Sequence, residues 1–402
     1  MRKTPLAATL FALATAGTMS VALPSADAVT TAKASVTQVH SCSTTPKAGY
    51  ASCYAIHLTN PTTGKSVNAR GAAITPNAIS GKTPSDIQSA YKLSGLTSGG
   101  RTVAIVDAYG YPNAERDLGV YRKQFGLSAC TKANGCLTII SQTGSTTSLP
   151  ATNVGWDQEQ ALDLDAVSAA CPDCKIVLVQ AKTASFANLG TAVNTAAKQS
   201  GVVAISNSYG GGDAQDTTYA KYYKHSGIAV TASTGDDGYQ GASYPASSQY
   251  VTAVGGTSLN TSSNARGWTE SAWSDAGSGC SSYNTAPAGQ SSSVTNCSGR
   301  AMADVSAVAD PNTGLAVYAP TSATASSWSQ YGGTSLSSPI VASVYALSGN
   351  TSGYANTKPY AATSGLFDVT SGSNGTCSYW CTAGTGWDGP TGLGTPNGVS
   401  AF

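Results

Sequence analysis

Histidine and charge are what this chain lacks. Among its 402 residues there are three histidines, His40, His57 and His225. None sits in a motif that would make it a general base, so the commonest partner of a catalytic serine or cysteine is missing. Charged residues make up 10% of the chain, against roughly 25% in ordinary globular proteins. With a formal net charge of +1, neither a nucleic-acid partner nor an anionic membrane surface has electrostatic support. No stretch beyond the N-terminal leader is long and apolar enough to span a bilayer. A surface poor in carboxylates also has fewer groups that change state as pH falls, which suits an exported, acid-tolerant protein.

What is present points the same way. Arg2 and Lys3 precede an apolar stretch from Leu6 to Val21, and Ala26-Asp27-Ala28 forms an A-x-A cleavage site. Residues 1–28 therefore read as a signal peptide. The alternative, a membrane anchor, is disfavoured by the short run and by Thr15, Gly17, Thr18 and Ser20 within it. The ten cysteines fall into five local couples: Cys42/Cys53, Cys130/Cys136, Cys171/Cys174, Cys280/Cys297 and Cys377/Cys381. In an exported chain that pattern predicts disulfides. Cys171-Pro172-Asp173-Cys174 could instead serve as a redox motif or half a zinc site, but no second Cys or His pair stands near it to complete a metal set.

Residues 29–82 are polar and read as a short N-terminal extension or pro-segment. Thr83 or Ser85 can cap a helix opened by Pro84. Apolar runs and helical patterns then alternate. Strands are expected at 102–107, 137–141, 175–181, 202–206 and 228–233, and helices at 113–125, 158–170, 188–199 and 218–225. Alternation of this kind predicts an α/β protein with a doubly wound, mostly parallel sheet and helices on both faces. Residues 257–300, rich in Ser, Gly and Asn, read as surface loops held by Cys280/Cys297. No internal repeat is visible.

Chemistry in such a sheet collects at the carboxyl ends of its strands. Gly332-Gly333-Thr334-Ser335 turns into an apolar run from Pro339 to Leu347 that reads as a buried helix. Small residues permit the sharp turn, and Ser335 would stand exposed at the helix N-terminus as a nucleophile. Glu159 and Asp163 are four residues apart, so a helix puts them on one face. Two carboxyls that close tend to share a proton. The plain alternative is a solvated acidic face, but Ala161, Leu162, Leu164 and Val167 surround them and no Lys or Arg follows at i+4. Asp236 follows the strand at 228–233; if protonated, it could donate to a developing oxyanion, and otherwise it forms a turn. Asp107 ends the first strand, either as a proton carrier behind the pair or as an Asx-type turn residue.

These segments, in this order, resemble the sedolisins, serine-carboxyl peptidases of subtilisin-like fold. The resemblance covers residues 83–402 and rests on Glu159-Gln-Ala-Leu-Asp163, Gly235-Asp236-Asp237-Gly238 and Gly333-Thr334-Ser335. It implies a subtilisin-like sheet and a secreted peptidase with a catalytic set of Ser335, Glu159, Asp163 and, at the oxyanion position, Asp236. It also implies one structural Ca²⁺. The segments Leu366 to Val369 and Ala383 to Asp388 would supply the carboxylates of Asp368 and Asp388 and the carbonyls of Val369, Gly384 and Gly386, with water completing the shell. A glycine-rich turn is the alternative. The implied partners are protein or peptide substrates, with no nucleic acid, no membrane after signal removal, and a monomeric protein. The chain departs from the family in three ways: its N-terminal segment is short, Tyr209 stands where a Trp usually supports the acid pair, and Asp107 stands where many relatives carry Glu. A subtilisin-type site using Asp107 and His225, and a non-enzymatic binding module on the same scaffold, are the rival readings.

Overall fold

Short apolar runs become strands here because each finds a parallel neighbour and is covered on both faces. A computed structural model of the chain describes Met1, Thr4 and residues 35–402 apart from Asn77 and Tyr379. But for Met1 and Thr4, the expected signal peptide lies outside the described residues. Met1–Lys33 and Ala34–Phe402 separate as two units, and the elements named here all belong to the second. Among the described residues no helix is long and apolar enough to cross a membrane.

The central sheet uses β1 (Thr102–Ala108), β2 (Leu137–Ser141), β3 (Lys175–Ala181), β4 (Val202–Asn207), β5 (Ala229–Ser233), β6 (Thr252–Thr261), β7 (Trp268–Ala272) and β8 (Val305–Val308). Its order is β2-β3-β1-β4-β5-β6, and β6 also pairs with β8 and β7. All pairings are parallel except β6 with β7. Every residue of β1 is buried, which explains why the run reads apolar throughout instead of alternating. Its side chains nevertheless divide by parity. Val103 and Ile105 join one core with Leu162, Leu336 and Ile340. Ala104 and Val106 join a second with Leu189 and Val193. The first core belongs to helices α1 (Val154–Ala170) and α3 (Thr334–Ser348), the second to α2 (Phe186–Ala196). Helices therefore lie on both faces of a doubly wound, mostly parallel sheet, as expected.

Three differences from the sequence reading have physical causes. Helix α1 begins four residues before the expected 158, because Asn153 caps it by accepting from the Trp156 N–H at 3.2 Å. The expected helix at 218–225 shortens to Asp216–Tyr219 and a 3₁₀ turn, Ala220–Tyr222. Residues 257–300 are not simply surface loops. They contain the second half of β6 and the antiparallel β7, and Ser281, Asn284 and Gln290 are buried. Their polar groups are satisfied internally: Ser281 Oγ donates to Asp213 at 2.8 Å, Asn284 Nδ2 to Ala214 O at 2.8 Å and Gln290 Nε2 to Ala301 O at 2.9 Å.

The five local cysteine couples are disulfides, and no described cysteine is free. The N-terminal segment is woven into the fold. Thr37–His40 pairs antiparallel with Ile56–Thr59, which pairs with Ser326–Gly332. Between them, Ser52–Cys53 adds antiparallel to Tyr209–Gly212.

Candidate active site

The parity of β1 continues past Ile105, so Asp107 takes the face that carries α1 and α3. Glu159 and Asp163 come to the same place from α1, a helix buried nearly all round: 14 of its 17 residues are inside. Asp107, Glu159 and Asp163 have no measurable exposure. Burial is the main cause that pushes all three carboxyls well above their ordinary range. The Asp107 carboxyl adds to the shift of both Glu159 and Asp163, and Glu159 adds to that of Asp163. None of the three takes part in an ion pair among the described residues.

Ser335 lies in the first turn of α3, after Gly333 at φ +93°. A side chain at Gly333 would strike the Tyr54 carbonyl, 1.7 Å from where a Cβ would sit, so the turn demands glycine on both counts. Pro339 lies inside the helix. Lacking an N–H, it leaves the carbonyl four residues back, that of Ser335, without its helical donor. The Ser208 hydroxyl takes that place, 3.3 Å away. The same Ser208 oxygen is 2.7 Å from Asp163 Oδ1. A hydroxyl has one proton to donate. Both contacts are satisfied if Ser208 donates to Ser335 O while a protonated Asp163 donates to Ser208, in agreement with the raised Asp163 pKa.

Glu159 Oε2 accepts from the Ala55 N–H at 2.7 Å, and its Oε1 has no hydrogen-bond partner. The Ser335 side chain is close enough to favour the ionised form of Glu159. The Ser335 Oγ itself accepts from the Tyr54 N–H at 3.1 Å and donates to Ser208 O at 3.2 Å. On the other side of Ser335, Asp236 follows β5. Its Oδ1 accepts from Thr334 N at 2.8 Å and Thr334 Oγ1 at 2.7 Å, while Oδ2 is buried without a partner. Burial raises this carboxyl too, with Asp237 and Asp275 adding to the shift and Thr334 opposing it. Two donors on Oδ1 leave Oδ2 as the oxygen on which a proton would sit.

The residues singled out from sequence thus converge: Ser335, Glu159, Asp163, Asp236 and Asp107 share one site. One expectation fails. Ser335 is completely buried, not exposed, because Tyr54 and Ala55 lie over it. Sequence reasoning also missed Ser208 and Thr334, which orient the acids. The signal for Ser208 was its position just past the end of β4, where a parallel sheet collects its functional groups. Histidine is absent from the centre: both partners of Ser335 Oγ are backbone groups, His225 Nε2 meets Tyr222 O at 2.9 Å, and burial pushes His57 down to about 4.

At the C-terminal loops, Gly386 N donates to Asp368 at 2.9 Å and Gly384 N to Asp388 at 3.0 Å. Thr391 holds the second Asp388 oxygen through N (2.9 Å) and Oγ1 (2.8 Å). The two carboxylates are thereby anchored to one loop, and Asp388 is pushed up to about 6 by burial first, with Asp368 adding. Hard carboxylate and carbonyl oxygens around a glycine turn suit a hard cation. Among the described residues, the only cluster of three metal-ligating side chains is Cys171, Asp173 and Cys174. Its two sulfurs are joined to each other, so they are not a zinc half-site.

The profile of the subtilase family matches residues 144–363. Kumamolisin of Bacillus sp. (strain MN-32) is 31% identical over 82% of this chain and 64% of its own length. Sedolisin of Pseudomonas sp. (strain 101) is 28% identical over 82% of this chain and 62% of its own. A solved structure of Pseudomonas sedolisin, described as a serine-carboxyl proteinase complexed with two molecules of pseudo-iodotyrostatin, superposes with a TM-score of 0.68 at 28% identity. It covers 79% of this chain and 96% of that one. The chain belongs to the subtilase family, in its sedolisin branch.

The chain spans less than two thirds of these two sedolisins' full lengths. Tyr209 donates to Asn207 Oδ1 at 2.8 Å, and its ring lies tilted to that of Trp156 with centroids 6.4 Å apart. Its hydroxyl meets Asn207 and Tyr223 and bonds to neither member of the acid pair.

The raised carboxyls tie stability to pH. A group whose pKa is higher folded than unfolded favours folding below its unfolded pKa, and that contribution is lost as pH rises through the folded value. Asp107, with neither oxygen hydrogen-bonded, is the clearest case. Asp107→Asn should melt close to wild type at about pH 4 and above it at about pH 7.5, by a few degrees. Thermal unfolding at the two pH values checks this; a variant that melts lower than wild type at the higher pH contradicts it.

Proposed function

We propose that this sedolisin is a secreted, acid-active serine-carboxyl peptidase that hydrolyses peptide bonds. The observation that carries the reading is a buried serine with a carboxyl, not an imidazole, as its titratable neighbour. Glu159 takes the Ser335 proton as Oγ attacks the scissile carbonyl carbon, then returns it to the departing amine. Asp163 shares a proton with Glu159 and keeps its orientation through Ser208, and Asp107 extends the network. Protonated Asp236, with the Ser335 N–H, stabilises the tetrahedral oxyanion. Water then repeats the sequence on the acyl-enzyme. Asp236 can donate only while protonated, so activity belongs to acid. Five disulfides suit an oxidising, extracellular setting.

Asp368, Asp388 and the carbonyls of Val369, Gly384 and Gly386 would hold one Ca²⁺ as a structural ion. When bound, it supplies charge that fixes the C-terminal loops, and no catalytic step passes through it.

Three outcomes follow. Peptide cleavage should be greatest at acidic pH and fall toward neutrality. Ser335→Ala and Glu159→Gln should each lose roughly 10³-fold or more in kcat/KM, whereas His225→Ala keeps full activity. A neutral optimum that depends on His225 contradicts the reading and favours a conventional subtilisin site. Calcium at about 100 times its Kd should stabilise the protein by about 2.7 kcal/mol relative to chelated protein, and Asp388→Ala should abolish that difference. Denaturant titration with and without chelator measures it.

A further inference from the structure

Beside the acid centre lies a second buried polar pair that carries no charge. Gln180 on β3 is the register partner of Asp107 on β1, and neither residue has measurable exposure. Partners in a parallel ladder send their side chains to the same face of the sheet. Ile176 and Leu178 alternate with Gln180 along β3 and join the core of Val103 and Ile105, so Gln180 faces α1 as Asp107 does. It meets that helix at Gln160, whose Oε1 accepts from Gln180 Nε2 at 2.9 Å.

Backbone carbonyls fix which way both amides point. Gln160 Nε2 lies 3.2 Å from Ala108 O, 3.4 Å from Tyr109 O and 3.2 Å from Trp156 O. Three acceptors require the nitrogen at that position, which turns the Gln160 oxygen toward Gln180. Gln180 must therefore give its nitrogen to Gln160 and present Oε1 elsewhere. That oxygen is buried without a partner among the described residues. An amide oxygen can only accept, and burial makes an unmet acceptor costly. Asp107 has the complementary need. Both its oxygens are buried and bare, and a protonated carboxyl has one hydrogen to donate.

We propose that Gln180 is a positioning residue of the acid centre: one buried water accepts from the Asp107 carboxyl and donates to Gln180 Oε1, which turns the Asp107 proton away from Glu159. A water so placed has polar partners on both sides, as buried waters need. The competing acceptor is Glu159 Oε1, which is also buried and bare. A donor there would favour ionised Glu159 and make it a weaker base toward Ser335. Drawing the Asp107 proton to an uncharged amide keeps the base strong and adds no charge to the cluster. The groups acting electrostatically on Asp107, Glu159 and Asp163 are these carboxyls themselves, Asp236, and the phenols of Tyr209 and Tyr331. The Gln160–Gln180 pair is the neutral part of that surround.

The inference rests on the peptidase reading, but its first readout needs no substrate. Infrared difference spectra of wild type and Gln180→Met at about pH 7, each against the same protein carrying Asp107→Asn, isolate the Asp107 carboxyl band. That band should be displaced in Gln180→Met. In kinetics on a peptide, Gln180→Met should lower kcat about tenfold with KM little changed. The acid limb of its pH profile should move to lower pH, because Glu159 then gains a donor. Gln180→Glu, which when protonated offers an oxygen and a donor in the same two places, should recover most of that loss at about pH 4. A crystal structure of the wild type at that pH is the check that needs no variant. It should hold an ordered water within hydrogen-bonding reach of both Asp107 and Gln180 Oε1. An unmoved Asp107 band, an unmoved acid limb, or absence of that water overturns the inference and leaves the peptidase reading standing. A displaced band and an ordered water in a protein that cleaves no peptide support the Gln180 assignment and overturn the peptidase reading instead.

Discussion

The structure turns on one electrostatic constraint: Asp107, Glu159 and Asp163 are buried together, and among the described residues no cation pairs with them. Removing one ionised carboxylate from water costs several kcal/mol even after relaxation, and three in contact would add mutual repulsion. The inexpensive solution is to keep protons on them. Everything distinctive about the site follows. Asp163 is held by Ser208 at 2.7 Å, Asp236 has a bare oxygen beside Ser335's turn, and a carboxyl stands where imidazole would be expected. Scarcity of histidine is the sequence's record of the same choice.

The fold supplies this constraint with ordinary means. A strand buried on both faces sends alternate side chains to opposite cores, and that alternation carries Asp107 to the helix face shared by α1 and α3. α1 has almost no solvated side, so its acids have nowhere to go but inward. In α3 the proline that interrupts the hydrogen-bond ladder leaves the Ser335 carbonyl free for Ser208, and through it the nucleophile's backbone is joined to Asp163. A helix defect thus becomes a link in the acid network.

Much of this was legible in the sequence. Alternating apolar runs indicated the parallel sheet, and the bounds of Leu137–Ser141 and Lys175–Ala181 agree with the strands observed. The i,i+4 acids without basic partners indicated a buried pair. What stayed hidden depends on contacts between residues far apart in sequence. The Asn153 cap lengthens α1 by a turn, although nothing periodic precedes residue 158. Strand β7 lies in a stretch that reads as loop, because its pairing with β6 outweighs weak local preference. The burial of Ser335 comes from Tyr54, 281 residues earlier; no local pattern announces that a polar, cysteine-stapled segment will lie in the cleft.

The central claim is that this acid cluster holds protons at pH values where ordinary carboxyls have none. Infrared difference spectroscopy of the folded protein at about pH 7, comparing wild type with Asp107→Asn and Asp163→Asn, tests it most directly. The account predicts a protonated-carboxyl carbonyl band in the wild type that weakens in each variant. A wild-type spectrum with carboxylate bands alone would contradict it.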